Sequence, residues 1–148
     1  MKIAIGSDHA GFSLKEQLRL TFADHDFVDF GTYSEASCDY PDVALKVAHA
    51  IREGEADLGV LVCGTGVGMA IAANKVQGIR AAACSETYTA KLTRDHNNAN
   101  VLCIGSRVVG PGVAEEILRA WLDTPFSGDE RHARRLRKIT AIEDQDLG

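Results

Sequence analysis

Short apolar runs alternate with amphipathic stretches along the whole chain. Lys2-Ile-Ala-Ile-Gly-Ser7 predicts a buried strand. A helix follows, with Leu14, Leu18 and Phe22 at i, i+4, i+8 as its core stripe. Residues 26–31 predict a second strand and 32–39 a loop. Tyr40-Pro41-Asp42 opens a helix carrying Val43, Val47 and Ile51 on one face, and Gly54 closes it. Residues 58–63 form the next apolar run, and 69–73 are good helix formers. A fourth strand is expected at 79–84, a helix over 85–95, and a fifth strand at 100–105. Val113, Ile117 and Trp121 mark another amphipathic helix, and a basic helix is expected over 129–142.

Short apolar strands separated by helices imply parallel βαβ units with right-handed crossovers. The expected fold is α/β: a three-layer αβα sandwich with a doubly wound, five-stranded parallel sheet, Rossmann-like, plus an extra C-terminal helix. No repeat, low-complexity segment or long linker divides the 148 residues, so 1–148 reads as one domain.

Composition narrows the function classes. The net charge of -5 gives no support to nucleic-acid binding. No apolar run approaches the roughly 20 residues of a membrane span, and no leader pattern follows Lys2. The cysteines at 38, 63, 84 and 103 have neither CxxC nor zinc-ligand spacing, which suits reduced thiols in a cytoplasmic protein without a metal.

In a doubly wound sheet, ligands bind outside the carboxyl ends of the strands. Those ends carry Asp8 and His9, the stretch Cys63-Gly-Thr-Gly-Val-Gly68, and Arg107. Strand, glycine-rich turn and helix together make an anion site, because the helix's first N–H groups are unpaired and glycines let a ligand approach. A thiol at such a point is drawn toward thiolate, and a thiolate is a nucleophile or a base. A cysteine ending a buried strand is otherwise just a small hydrophobe, the reading that suits Cys84 and Cys103. The open glycine turn sets Cys63 apart. His96 and Asn97 precede the fifth strand, at the opposite edge, and only a turn folding over the site would bring them in. His25, His49 and Cys38 receive no role. Arg131 and Arg135, at i, i+4, are either a solvated helix face or a phosphate clamp. The glycines are not a Walker loop. They match a dinucleotide fingerprint only partly, since Met69 stands where the third glycine belongs, so nucleotide binding ranks second.

Ser7-Asp-His-Ala-Gly-Phe12, Asp39-Tyr-Pro41, Cys63-Gly-Thr-Gly-Val-Gly68, Ala72-Ala-Asn-Lys75, Gly78-Ile-Arg80, His96-Asn97, Gly105-Ser-Arg107 and Arg131-His132 with Arg135 occur in this order. Together they resemble type B ribose-5-phosphate isomerase, a family that includes allose-6-phosphate and galactose-6-phosphate isomerases, over nearly the whole chain. The resemblance implies an aldose–ketose isomerisation of a small phosphorylated sugar through an enediol, without metal or organic cofactor. Ribose 5-phosphate and ribulose 5-phosphate are the first-ranked pair; a hexose 6-phosphate or erythrulose 4-phosphate is the alternative. It assigns Cys63 as the base, the Gly64, Gly66, Val67 and Gly68 backbone with Thr65 as support for the substrate oxygen, and His96 as the ring-opening residue. Asp8, His9, Tyr40 and Asn97 match sugar-binding positions, and Arg107, Arg131 and Arg135 match phosphate positions. Some of these come from a partner subunit, so a homodimer or dimer of dimers is implied. Asn98 and Glu130 depart from the family's usual Asp and Gly. The helix segment Met69-Ala-Ile-Ala offers no glutamate as an alternative base.

Overall fold

The structure, a computed structural model, describes residues 1–146. Five parallel strands alternate with helices: β1 (Lys2–Ser7), α1 (Phe12–Thr21), β2 (Asp26–Asp29), α2 (Tyr40–Arg52), β3 (Leu58–Cys63), α3 (Val67–Ala73), β4 (Ala81–Ala83), α4 (Thr87–Asp95), β5 (Val101–Gly105), α5 (Pro111–Asp123) and α6 (Glu130–Asp146). The sheet order is β2-β1-β3-β5-β4, every pair parallel. The path steps to one side of β1 after α1 and to the other side of β3 after α3, which makes β1 and β3 the switch point.

Period-2 alternation in the strands divides the core in two. Ile3, Ile5, Val60, Val62, Leu102 and Ile104 face α1, α4 and α5. Ala4, Leu61, Cys63, Val101 and Cys103 face α2 and α3. β3, the central strand, is buried at all six positions, as its unbroken apolar run requires. Among the described residues no helix is long and apolar enough to cross a membrane.

Several element limits differ from the sequence expectation. The fourth strand shrinks to Ala81–Ala83 because it is an edge strand, and the side-chain amide of Asn74 takes the place of a neighbour. Its Nδ2 donates to the Ala81 carbonyl at 2.9 Å, and its Oδ1 accepts from the Ala81 N–H at 2.8 Å. Such pairing satisfies an edge that would otherwise invite another strand. Val113 lies outside the α5 stripe, at 44% exposure; the buried face is Ala114, Ile117, Leu118 and Trp121. α3 begins at Val67, two residues earlier than helix propensity suggests, because Gly66 at φ 79° makes the turn.

One core feature has no sequence signature. Lys15, next to the α1 stripe, is fully buried, its ammonium 2.8 Å from Asp29 Oδ1 and 2.7 Å from the Thr32 carbonyl. Asp29 also accepts from Arg19 and from the Gly31 N–H. This hub holds the end of β2 and the loop that leads toward α2. Removing the carboxylate leaves a buried charge with little compensation. Asp29→Ala is therefore expected to cost about 3–5 kcal/mol in urea unfolding, and Lys15→Met combined with Asp29→Leu to recover much of that loss.

Candidate active site

The switch point brings together the first group of candidate residues. Cys63, 5% exposed, ends β3 with its side chain on the α2–α3 side of the sheet. The chain then turns through Gly64-Thr65-Gly66, and the Gly66 N–H donates to Cys63 Sγ at 3.1 Å. Thr65 Oγ1 accepts from the Val67 N–H at 3.3 Å, which fixes the first turn of α3.

The turn rests directly on β5. A Cβ on Gly66 would stand 3.1 Å from the Ile104 backbone, and one on Gly105 would stand 2.6 Å from Thr65. Both are backbone-on-backbone contacts that leave no room for side chains. Ser106 ties three strand ends together. Its N–H donates to the Cys63 carbonyl at 2.8 Å and its hydroxyl to the Ala10 carbonyl at 2.8 Å. The Arg107 N–H donates to the Gly64 carbonyl at 3.0 Å, and its guanidinium lies over Gly64.

Around this turn stand the other predicted residues of the first group. Asp8 accepts from the Gly11 N–H at 3.0 Å, so its carboxylate is locked at the start of α1. His9 Nδ1 accepts from the Cys38 N–H at 3.3 Å, which leaves the ring's proton on Nε2 as a free donor. The Tyr40 ring covers Gly68, close enough that a Cβ there would stand 2.7 Å from its Cζ. The other buried thiols are of a different kind. Burial, with Glu86 adding to it, pushes the Cys84 thiol up to about 11, and burial raises Cys103 well above its ordinary range. Both stay protonated in ordinary buffers.

A second group gathers at the other end of the sheet. α4 runs back toward the amino ends of the strands, so His96 and Asn97 lie where β5 begins, one strand length of about 15 Å from Cys63. No turn folds His96 over the glycine loop. α6 crosses beneath, joined to the end of α4 by the Ser127 N–H to the Asp95 carbonyl at 3.0 Å. Its other end reaches the α3–β4 turn, where the Glu143 carboxylate accepts from the Gly78 N–H at 3.1 Å. Asn97 lines a cleft of about 470 Å³ with Ile79, Arg80, Ile139 and Ile142.

Arg131 and Arg135 are exposed on α6 and, among the described residues, form no ion pair. Glu130 engages Arg137 at 2.6 Å and leaves both of them clear. Asn98 adopts φ 45°, a conformation asparagine tolerates, and accepts from Arg80 and Arg94. Sequence reasoning gave no role to Ser106 or His132. Both appear only inside motifs, Ser106 in Gly105-Ser-Arg107 and His132 in Arg131-His132, with no role of their own. Among the described residues no group of three or more His, Cys, Asp or Glu side chains is arranged to hold a metal ion.

Fold and site thus define an α/β protein that presents a thiol and a ring of polar groups at a switch point, the place for a small anionic ligand. The sequence pattern of the Ribose/Galactose Isomerase family matches residues 3–139, and the chain belongs to that family. It is 50% identical to ribose-5-phosphate isomerase B of Escherichia coli, covering 97% of each chain. It is 45% identical to D-erythrulose-4-phosphate isomerase of Pectobacterium atrosepticum, covering 99% of this chain and 97% of that one. The solved ribose-5-phosphate isomerase B of Clostridium thermocellum superposes with a TM-score of 0.95 at 50% identity, covering 98% of this chain and 99% of that one.

Gly66 joins the turn to both the sulfur and the β5 backbone. Gly66→Ala is expected to lower stability by about 1–3 kcal/mol, from strain at positive φ and contact with Ile104. Chemical denaturation reads the loss directly.

Proposed function

We propose that the protein is an aldose–ketose isomerase of phosphorylated sugars, with ribose 5-phosphate and ribulose 5-phosphate as its first-ranked pair. The observation that carries this reading is the hydrogen bond from the Gly66 N–H to Cys63 Sγ at the switch point. That N–H fixes the sulfur beside the open glycine turn, where a cysteine can serve as a base.

In the proposed reaction, Cys63 Sγ takes the proton from C2 of the open-chain aldose, and O1 gains the charge as an enediolate. Backbone N–H groups of the 64–68 turn, with Thr65, stabilise that oxygen. The proton on O2 passes to O1, and the Cys63 thiol returns its proton to C1 to give the ketose. His9 Nε2–H, Asp8 and Tyr40 orient the hydroxyls, and Arg107, Arg131 and Arg135 bind the phosphate. His96 moves the proton that opens the furanose ring. The chemistry calls for no metal or organic cofactor.

This division of labour needs a second copy of the chain. Cys63 and His96 stand at opposite ends of one sheet, so a partner's His96, Asn97 and arginine helix must meet this chain's glycine turn. Exposed Val67 and Ile71 beside the turn, with Ile139 and Ile142 on α6, offer apolar surface for that contact. The protein is therefore proposed to be a homodimer, or a dimer of dimers, with composite sites. Its four free thiols fit a reducing cytoplasm.

A second substrate reading is favoured by the Pectobacterium relative. It is named for erythrulose 4-phosphate and is almost as similar as the one named for ribose 5-phosphate. Turnover of a panel of tetrose, pentose and hexose phosphates separates the two. Conversion of none of them, with tight nucleotide binding instead, would refute both. The dinucleotide alternative has little support: Met69, where a third glycine would stand, is fully buried in the core.

Cys63→Ala should abolish isomerisation while sugar-phosphate binding persists in calorimetry. Mixing it with His96→Asn, by refolding the two together, tests the composite site. Half the dimers would then be hybrids with one intact site each, restoring about a quarter of the normal activity. Recovery of none would show that one chain supplies both residues.

A further inference from the structure

α6 is charged or polar at nearly every position of its first turns, yet one residue there turns inward. His132 is 4% exposed, while Arg131, Arg134, Arg135 and Arg137 around it are exposed. A buried imidazole in such a run calls for a partner, and here the partner is another imidazole. The rings of His132 and His96 lie with centroids 4.2 Å apart and planes 30° from parallel.

The contact is braced on both sides. Ser127 Oγ accepts from the Asp129 N–H at 3.2 Å and lies 2.9 Å from His132 Nδ1. The chain of bonds closes if the hydroxyl donates its own proton to Nδ1, which leaves His132 neutral with its proton on Nε2. Burial first, and then His96 and Arg131, push the His132 imidazole below its ordinary range, in the same direction. Asp95 flanks the other ring without clasping it: its Oδ2 is 3.5 Å from His96 Nε2, and its carbonyl accepts from the Ser127 N–H. Asp129, Asp95, Arg131 and His96 are the charged or titratable groups facing His132.

We propose that His132 is the positioning residue of the ring-opening step, a platform that fixes the His96 imidazole and ties it to the helix that carries Arg131 and Arg135. The proposal rests on the reading of His96 as the ring-opening residue. Its physical content is specific. The His96 side chain, 39% exposed at the C-cap of α4, has no firm hydrogen bond of its own, so its orientation depends on the surface beneath the ring. His132 supplies that surface on α6, one residue from Arg131 and three from Arg135. Phosphate capture and proton transfer to the ring oxygen then start from one rigid unit. A neutral platform also spares His96 a permanent positive neighbour whenever it carries the proton.

The test separates ring opening from the enediol chemistry. A ketopentose with phosphate on O5 has no free hydroxyl that can close a five-membered ring onto C2, so ribulose 5-phosphate is open-chain. Exchange of its C1 hydrogen with deuterium from solvent, followed by proton NMR, reports on the Cys63 step alone. Conversion of ribose 5-phosphate needs the ring opened as well. His132→Ala is expected to lower kcat for ribose 5-phosphate by about 10- to 100-fold, with exchange and KM each within about threefold of normal. His132→Phe, which keeps a flat ring, should recover most of kcat. Ser127→Ala, which frees that ring, should show a smaller loss of the same selective kind and serves if His132→Ala fails to fold. Unchanged kcat, equal loss of both rates, or a rise in KM alone would overturn the positioning role. His96→Asn run beside them checks the underlying reading. If it lowers both rates equally, His96 is not the ring-opening residue, and the proposal falls for that separate reason.

Discussion

The backbone of the turn after β3 lies on the backbone of β5. Gly66 meets Ile104 and Cys103 on one side, and Gly105 meets Thr65 on the other. Because neither glycine carries a side chain, the turn descends far enough for the Gly66 N–H to reach Cys63 Sγ. The same descent lets Arg107 lie over Gly64 and Ser106 bind the ends of β1 and β3. The left-handed turn at Gly66 rests on strands that the core buries completely, β3 above all. Burial keeps the other two buried thiols, Cys84 and Cys103, protonated.

The second constraint is the direction of the chain. In a parallel sheet each helix returns to the amino ends of the strands, so a residue at the end of α4 stands a strand length from one at the end of β3. His96 and Asn97 are placed there by topology, and α6 brings its arginines to the same end. The proposed dimer is the arrangement that would bring these two groups of residues together. The apolar residues flanking each half, Val67 and Ile71 at one and Ile139 and Ile142 at the other, fit that arrangement. At the α6 end the His96 and His132 rings stack, while at the other Ser106 ties the strand ends together.

Much of the architecture was legible in the sequence. Apolar runs and i, i+4 stripes located the strands and the helices α1, α2 and α5, because they report burial directly, while propensity and composition placed α3 and α6. The limits of β4 and α3 were misjudged, since an asparagine side chain replaces a strand at one and a left-handed glycine starts the other. Val113 fell off its stripe because the α5 face turned by one position. Lys15 gave no signal at all: its partner Asp29 lies on another element, and a lysine in a helix reads as solvated by default. His132, though part of the Arg131-His132 motif, showed neither its burial nor its partner, because His96 lies on another helix.

The candidate site divides along the same line. Sequence alone determined the strand–turn–helix at 58–74, the cysteine at its mouth and the family to which the chain belongs, since these are local patterns carried by contiguous residues. Only tertiary structure decided that Gly66 donates to Cys63, that Tyr40 covers Gly68, and that His96 leans on His132 at the far end of the sheet from Cys63. Those facts depend on which strand ends become neighbours and which way each helix returns. Long-range packing sets both, and residue spacing does not record it.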